Sequence, residues 1–239
     1  MERLTVVYDN RAVEGFKADW GFSALIELEE QTLLFDTGAK PEVLEHNLSA
    51  AGVNPSEIDG VFISHNHWDH VGGLSLIIEK NKHFELFIPE PDCYEYEEEL
   101  PEGVVCVPVA APTYISERAL STGLLPTGLD SPEFEQALIV MAEPGPVLIT
   151  GCSHPGVVEF ARRAVSIVGE TLFLVIGGFH LYKATEEEIR ETAQELSRFT
   201  RFVAPCHCTG ERAIEVFAEV FGDNFIEAKA GVEIPLQEE

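Results

Sequence analysis

Three histidines and one aspartate crowd into six positions of the stretch FISHNHWDHVGG, residues 62–73. Imidazole nitrogens and carboxylate oxygens are ligands of first-row transition metals, and zinc takes them at about 2.0–2.2 Å in a four-coordinate shell. His65 and His67 are two residues apart, so both can point at one ion. Asp69 and His70 can then aim at a neighbouring point. The stretch therefore predicts half of the ligand shell of each of two metal ions.

Two metal ions side by side would make this stretch part of a catalytic site for hydrolysis. Ions about 3.5–4 Å apart can hold a bridging hydroxide, bring the pKa of bound water near neutrality and polarise a carbonyl or phosphoryl oxygen. A single histidine is more often a surface residue with no such role, as we expect for His46 and His83. Four donors in six residues favour a metal site over that interpretation.

The elements that must position these donors can be read from the apolar pattern. In the first part of the chain, strand patterns are separated by turn residues, and in the last third strands alternate with helices. We predict strands at 4–9, 22–29, 32–38, 60–64, 84–89, 103–109, 136–143, 146–151, 171–178 and 201–206, and helices at 41–52, 72–80, 155–168, 185–198 and 210–221. Residues 89–132 give the least certain pattern. Polar clusters at 36–38, 65–70, 150–154, 177–180 and 205–210 each follow a strand, and they meet if the strand ends share one edge.

Composition limits the classes of protein. The chain has 239 residues, of which 45% are hydrophobic and 24% charged, which predicts one compact domain over residues 1–239. Its 42 acidic against 15 basic residues give a net charge of −27, which disfavours nucleic acid as a partner. Neither a signal peptide nor a run of membrane-spanning length is found. Five cysteines, an odd number spread thinly, predict reduced thiols in a cytoplasm. Nothing indicates an oligomeric state.

The motif SHNHWDHVGG resembles the HxHxDH signature of the metallo-β-lactamase superfamily. LLFDTG is similar to the second-strand motif of that superfamily. GCSHPG, GGFHL and PCHCTG together resemble one branch, the dihydropterin-type phosphate synthases and metal-dependent hydrolases. The resemblance implies an α/β fold, a four-layer αββα sandwich of two mixed sheets, with a dinuclear metal site along one edge. Two divalent ions are implied, with zinc first and manganese or iron as alternatives.

The resemblance also implies residue roles. The first metal would be bound by His65, His67 and His154, and the second by Asp69, His70 and His207. Asp36 would orient the metal-binding loop without binding metal itself. Asp69 would in addition orient the nucleophile, and His180 is the candidate acid.

Two residues keep alternative interpretations. Cys152 stands where the superfamily usually has a bridging aspartate, so it is either a thiolate ligand or a small buried residue beside a bridge made by hydroxide alone; the second is favoured. His180 follows two glycines that would let a ligand approach, and it could stabilise an oxyanion, protonate a leaving group or bind metal, or it could be a packing residue.

The predicted function is that of a metal-dependent hydrolase or transferase, in which a metal-bound hydroxide or Lewis-acid metals act on a phosphorylated or ester small molecule. An anionic substrate, and by resemblance a pterin phosphate, would suit Tyr182 and Lys183. The aromatic residues near the motif loops could wall a flat ring; they are Trp20, Phe22, Trp68, Phe179 and Tyr182. The alternatives are a non-catalytic metal-binding or sensing protein on the same scaffold and a di-iron redox enzyme.

Overall fold

The structure, a computed structural model, describes residues 2–96 and 100–237. The chain divides into two compact units, Met1–Pro112 with Lys229–Glu239, and Thr113–Ala228. Each unit is built on its own sheet. That residues 1–239 form one domain stays a prediction.

The first unit contains a mixed sheet of seven strands. They are β1 (Arg3–Tyr8), β2 (Ser23–Glu27), β3 (Thr32–Phe35), β4 (Gly60–Phe62), β5 (Phe84–Pro89), β6 (Val104–Val109) and β15 (Glu233–Pro235). Their order is β15-β1-β2-β3-β4-β5-β6. The pairs from β15 to β3 are antiparallel, and those from β3 to β6 are parallel.

Four helices accompany this sheet: α1 (Pro41–Ala50), α2 (Trp68–Val71), α3 (Leu74–Lys80) and α4 (Glu90–Tyr96). Pro41 occupies the first turn of α1, where its missing N–H costs nothing. Buried apolar side chains of α1 and α3, such as Leu44 and Ile77, pack in one core with Leu25 and Val61 of the sheet. This core holds the parallel ends of β3 and β4 in place.

The second unit contains a mixed six-stranded sheet and a short hairpin. The strands are β7 (Thr113–Tyr114), β8 (Ala119–Ser121), β9 (Leu125–Pro126), β10 (Phe134–Glu135), β11 (Leu138–Ala142), β12 (Gly145–Thr150), β13 (Leu172–Gly178) and β14 (Thr200–Cys206). The sheet order is β14-β13-β12-β11-β8-β7, and β9 pairs with β10. β12, β13 and β14 are parallel, so their carboxyl ends lie at one edge.

Three amphipathic helices cover this second sheet: α5 (Val157–Val168), α6 (Glu186–Leu196) and α7 (Glu211–Phe221). α6 starts with a capping box, in which Thr185 and Glu188 satisfy each other's backbone N–H groups. α5 ends at Gly169 in the left-handed conformation. Phe160, Ile189 and Phe217, one from each helix, are buried in the core of this unit. The predicted helices and long strands are confirmed within one to three residues at most boundaries.

The prediction of reduced thiols throughout is wrong for one pair. Cys93 of α4 and Cys106 of β6 form a disulfide, with Cα atoms 6.3 Å apart. The two residues lie 13 positions apart in sequence, and α4 packs on β6, which the sequence pattern at 89–132 did not reveal. Cys152, Cys206 and Cys208 lie outside disulfides and are buried.

Within residues 2–96 and 100–237, no helix is long and apolar enough to cross a membrane.

Candidate metal centre

The histidine run and Asp36 follow neighbouring parallel strands of the first unit. Phe35 at the end of β3 pairs with Phe62 at the end of β4. The backbone N–H of Asp36 donates to Phe62 O at 2.8 Å, and Asp36 adopts a left-handed conformation with φ 52°. These contacts turn the Asp36 side chain toward the loop that carries the histidines.

The Asp36 carboxylate is fully buried and accepts three hydrogen bonds from that loop. Its donors are the Ser64 N–H at 2.7 Å, the Ser64 hydroxyl at 2.7 Å and His70 Nδ1 at 2.7 Å. Burial raises the pKa of Asp36, and its hydrogen bonds with His70 and Ser64 oppose that rise. The prediction from resemblance that Asp36 orients the metal loop agrees with this geometry.

Asp36 also sets which nitrogens of two histidines carry the proton. The Ser64 hydroxyl gives its only hydrogen to the carboxylate, so it accepts one from His65 Nδ1 at 2.8 Å. His70 likewise donates from Nδ1. In a neutral imidazole this places the lone pair of both rings on Nε2. The ring of His65 lies 4.2 Å from that of His70 and 4.8 Å from that of His67, centroid to centroid, so three predicted ligands are grouped.

Asp69, the fourth donor of the run, is fixed by a residue far away in sequence. Its Oδ2 accepts a hydrogen bond from Trp20 Nε1 at 2.7 Å and lies 4.0 Å from His70 Nε2. Donors in a tetrahedral shell with bonds of about 2 Å lie about 3.3 Å apart, so a shift of less than about 1 Å would let both atoms bind the same ion. Trp20 therefore positions the carboxylate that is predicted to act on the second metal.

Substitution of Trp20 by phenylalanine tests this role. W20F keeps an aromatic ring but leaves Asp69 without this donor, so we expect metal affinity to fall about tenfold, the equivalent of about 1.5 kcal/mol for one hydrogen bond to a charged group. Titration with zinc against a competing chelator measures the change. W68F is the matched control, because the Trp68 side chain is 61% exposed; equal affinities in W20F and W68F would contradict the assignment.

In the second unit, a buried carboxylate that the sequence analysis missed organises the loop after β12. Glu135 Oε1 accepts the N–H groups of Cys152 and Ser153, both at 2.8 Å. Its Oε2 accepts the N–H of His154 at 2.7 Å and His154 Nδ1 at 2.9 Å. All four bonds come from three consecutive residues, so Glu135 fixes both the loop and the ring of the ligand candidate His154.

The contacts of Glu135 determine its charge and the tautomer of His154. Burial alone would raise the pKa of Glu135, but the hydrogen bonds and the charge of His154, with the loop N–H groups, hold that pKa below its ordinary value. The carboxylate can only accept, so His154 donates from Nδ1 and its lone pair lies on Nε2. His154 thus has the same arrangement as His65 and His70, namely Nδ1 bound by protein and Nε2 directed elsewhere.

The remaining candidate residues of the second unit lie around two buried thiols. Cys152 Sγ lies 3.5 Å from His207 Nε2, and Cys208 Sγ contacts Cys152 O at 3.6 Å. Burial raises the pKa of the Cys208 thiol, but Cys152 and the charges of His207 and His180 bring it well below its usual value. Hydrogen bonding to Cys208 in turn raises the pKa of His180, although burial opposes this.

Close packing explains the two glycines before His180. A Cβ on Gly177 would lie 2.0 Å from Thr150 O, and one on Gly178 would lie 2.7 Å from Cys208 Sγ. The sequence analysis assigned this space to a ligand, but protein atoms occupy it. The glycines therefore let β12, β13 and the loop after β14 approach closely enough to group their side chains.

The other predicted residues differ in how much of their surface is exposed to solvent. Phe22 and Phe179 are buried core residues and so do not offer a surface to a flat ring, whereas Trp20, Trp68 and Tyr182 expose 44%, 61% and 47% of their surface. His46 and His83 are exposed, as predicted. Sequence reasoning missed Glu135, Ser64 and the role of Trp20. Only Ser64, directly before the motif, had a signal in the sequence.

Comparison with known proteins decides the family. The profile of the metallo-β-lactamase superfamily matches residues 21–174, which is more than half of the chain. The chain belongs to the metallo-β-lactamase superfamily. The predicted fold class, an α/β fold of two mixed sheets of the metallo-β-lactamase type, is therefore confirmed.

One relative and two solved structures illustrate the relationship. The 7,8-dihydropterin-6-methyl-4-(β-D-ribofuranosyl)-aminobenzene-5'-phosphate synthase of Methanocaldococcus jannaschii is 29% identical over 264 residues, covering 90% of each chain. A crystal structure of a metal-dependent hydrolase of the β-lactamase superfamily is 27% identical, covers 100% of both chains and has a TM-score of 0.83. The metallo-β-lactamase fold protein YhfI from Bacillus subtilis, 16% identical with a TM-score of 0.68, covers 98% of this chain and 100% of its own and supports the fold alone. The predicted branch agrees with the first of these relatives.

Proposed function

We propose that this protein is an enzyme that uses two divalent metal ions to act on a phosphorylated or ester small molecule. Zinc is the first candidate, with manganese and iron as alternatives. The observation that carries the proposal is the shared arrangement of His65, His70 and His154, each of which donates from Nδ1 to a buried oxygen. Metal-binding histidines almost always have such a partner, which fixes the ring and increases the basicity of the other nitrogen.

The proposed ligand set combines the histidine run with two later histidines. From the first unit we propose His65, His67, Asp69 and His70, and from the second His154 and His207. These donors fit zinc, manganese or iron, because imidazole and carboxylate suit all three ions. When bound, the ions supply Lewis acidity and lower the pKa of water toward neutrality.

The residues of this chain then have separate tasks. Asp36 and Glu135 hold the ligand rings in the binding tautomer, and Trp20 holds Asp69, which we propose also orients the nucleophile. We propose His180 as the acid for the leaving group, because it is exposed and its ring lies 4.6 Å from that of His154. Proton delivery requires such an accessible group near the reacting atoms.

A phosphorylated pterin-type substrate is the finer part of the proposal. It rests on the name of the Methanocaldococcus jannaschii relative, which is a dihydropterin-type phosphate synthase. Exposed Trp20, Trp68 and Tyr182 offer flat surfaces for a ring, and Lys183 is an exposed cation beside Tyr182. A net charge of −27 leaves nucleic acid an unfavourable partner. The cytoplasmic location stays a prediction, and the disulfide between Cys93 and Cys106 is unusual for it.

Metal analysis combined with a substrate screen tests the proposal. We expect elemental mass spectrometry of protein purified without added metal or chelator to find about two ions per chain. Phosphomonoesters, phosphodiesters, activated esters and pterin phosphates would be screened with the same preparation, and a chelator should abolish the activity. The H65A/H67A double variant should lose at least one ion, whereas H46A/H83A, which changes two exposed histidines, should lose none.

The possible results separate the competing functions. Two zinc or manganese ions with turnover support the proposal, and two iron ions favour the redox alternative. Bound metal that raises the melting temperature without any turnover favours a sensing protein. No metal, or equal metal content in the two double variants, overturns the proposed centre.

A further inference from the structure

The second unit carries a group of three metal-ligating side chains that needs no residue from the histidine run. It comprises Cys152, His180 and Cys208, whose donor atoms all lie within 4.8 Å of one another. Each residue stands two positions after the end of its strand: Thr150 ends β12, Gly178 ends β13 and Cys206 ends β14. Three adjacent parallel strands thus deliver one donor each to the same point.

The register of the strands explains this convergence. Thr150 pairs with Gly177, and Gly178 pairs with Cys206, so the three strand ends are nearly level. The missing Cβ of Gly178 leaves the space in which Cys208 Sγ lies, 2.7 Å from where that Cβ would be. His180 and His207 adopt left-handed backbone conformations, with φ 52° and 50°. Two such non-glycine residues beside one cluster are uncommon, and strained backbone conformations of this kind are typical of functional sites.

We infer that Cys152, His180 and Cys208 form a thiolate-rich site for a thiophilic divalent cation such as zinc or cadmium. Two sulfurs and one imidazole nitrogen are a ligand set that zinc accepts, with a fourth position left open in catalytic sites. Cys152 and Cys208 are buried, whereas His180 is exposed, so the open position would face solvent on the His180 side. This takes up the thiolate interpretation of Cys152 and the metal-binding interpretation of His180. With the cation bound, His180 would not serve as the acid proposed above.

The balance of charge and protons follows directly. Binding leaves both sulfurs as thiolates, forms two metal–sulfur bonds and one metal–nitrogen bond, and releases to solvent the protons that the three donor atoms carried before. The two negative thiolates neutralise the charge of the dication, which lowers the free-energy cost of burying all three charged groups. Because Cys152 Sγ lies 3.5 Å from His207 Nε2, this cation would border a proposed ligand of the histidine-aspartate centre.

Cobalt(II) is the probe that separates this site from the histidine-aspartate centre. Sulfur-to-cobalt charge transfer gives a strong near-ultraviolet band that imidazole and carboxylate ligands do not produce. We expect the band when the full-length protein is titrated with cobalt(II), with about half of it lost in C152S or C208S and all of it lost in the double variant, since each thiolate contributes similarly. C206S is the matched control, since Cys206 is buried on the same strand end but outside the group.

A second variant distinguishes failure of this inference from failure of the proposed function. H65A/H67A should lose ions of the proposed centre and keep the sulfur band. Absence of the band in the wild-type protein, or its survival in C152S/C208S, would overturn the thiolate site whatever the H65A/H67A variant shows.

A measurement on the unmodified chain covers the case in which the serine variants do not fold. Alkylation of the wild-type protein, mapped by mass spectrometry with and without cadmium, should show Cys152 and Cys208 protected by the metal. Their rates should fall by more than about 100-fold, as expected for thiolates held by a tightly bound ion. Equal rates with and without cadmium would refute the site, and a change confined to Cys206 would do the same.

Discussion

Replacement of Glu135 by glutamine should weaken metal binding by about 10–100-fold and lower the free energy of unfolding of the metal-free protein by about 3 kcal/mol. The carboxylate accepts four hydrogen bonds, two on each oxygen. A glutamine side chain keeps one acceptor oxygen and turns an NH₂ group toward two donors, so two bonds are lost and donor faces donor. His154 would also lose the partner that keeps its lone pair on Nε2.

Two measurements separate the parts of the E135Q prediction. Chelator competition gives the metal affinity, and urea unfolding in excess chelator gives the stability without metal. E133Q is the control, because Glu133 lies two residues away and is exposed; we expect it to behave as wild type. If E135Q bound metal as tightly as E133Q, the assignment of His154 as a ligand would be wrong.

Replacement of Asp36 by asparagine is expected to affect the ligands of the first unit in the same way. The buried carboxylate fixes His70 directly and His65 through the Ser64 hydroxyl. An amide nitrogen in place of Oδ2 would meet two donors, so both rings lose their fixed tautomer. We expect metal affinity to fall by about 10–100-fold and the free energy of unfolding by about 2–3 kcal/mol.

The D36N prediction has its own control and readout. D59N changes an exposed aspartate that accepts one backbone N–H, from Thr32 at 2.8 Å, and should alter stability by less than about 1 kcal/mol. Metal titration followed by histidine NMR would show whether Nδ1 of His65 and His70 remains protonated in D36N. Unchanged tautomers with unchanged affinity would show that Asp36 does not orient the ligands.

The two carboxylates show how much of the site could be predicted. The histidine run lies within six residues and follows an apolar strand, so local spacing indicated its chemistry. Asp36 was placed by resemblance to a motif. Glu135 had no such signal, because its partner His154 lies 19 residues along the chain and their contact depends on how the loop after β12 folds back.

The secondary structure, like the site, could be predicted only in part. Strands such as β13 and helices such as α7 have a strong apolar period, and their type was predicted correctly. Apart from β6, the elements between 89 and 132 were not predicted, because α4 and the two-residue strands β7 and β9 are too short for any period to develop. The disulfide between Cys93 and Cys106 lies in that stretch and was not predicted either. Pairing of cysteines depends on tertiary packing, which the spacing of cysteines in the sequence does not encode.

Four residues other than glycine have left-handed backbones: Asp36, Ser153, His180 and His207, with φ between 50° and 60° among the residues described. Each follows a strand end in or beside the candidate site, and each conformation costs about 1 kcal/mol or more that glycine would not incur. Backbone conformation and side-chain chemistry therefore make opposite demands at these positions. Protein engineering that chose residues by backbone conformation alone would place glycine at all four, and at Asp36, His180 and His207 it would remove side chains on which activity is proposed to depend.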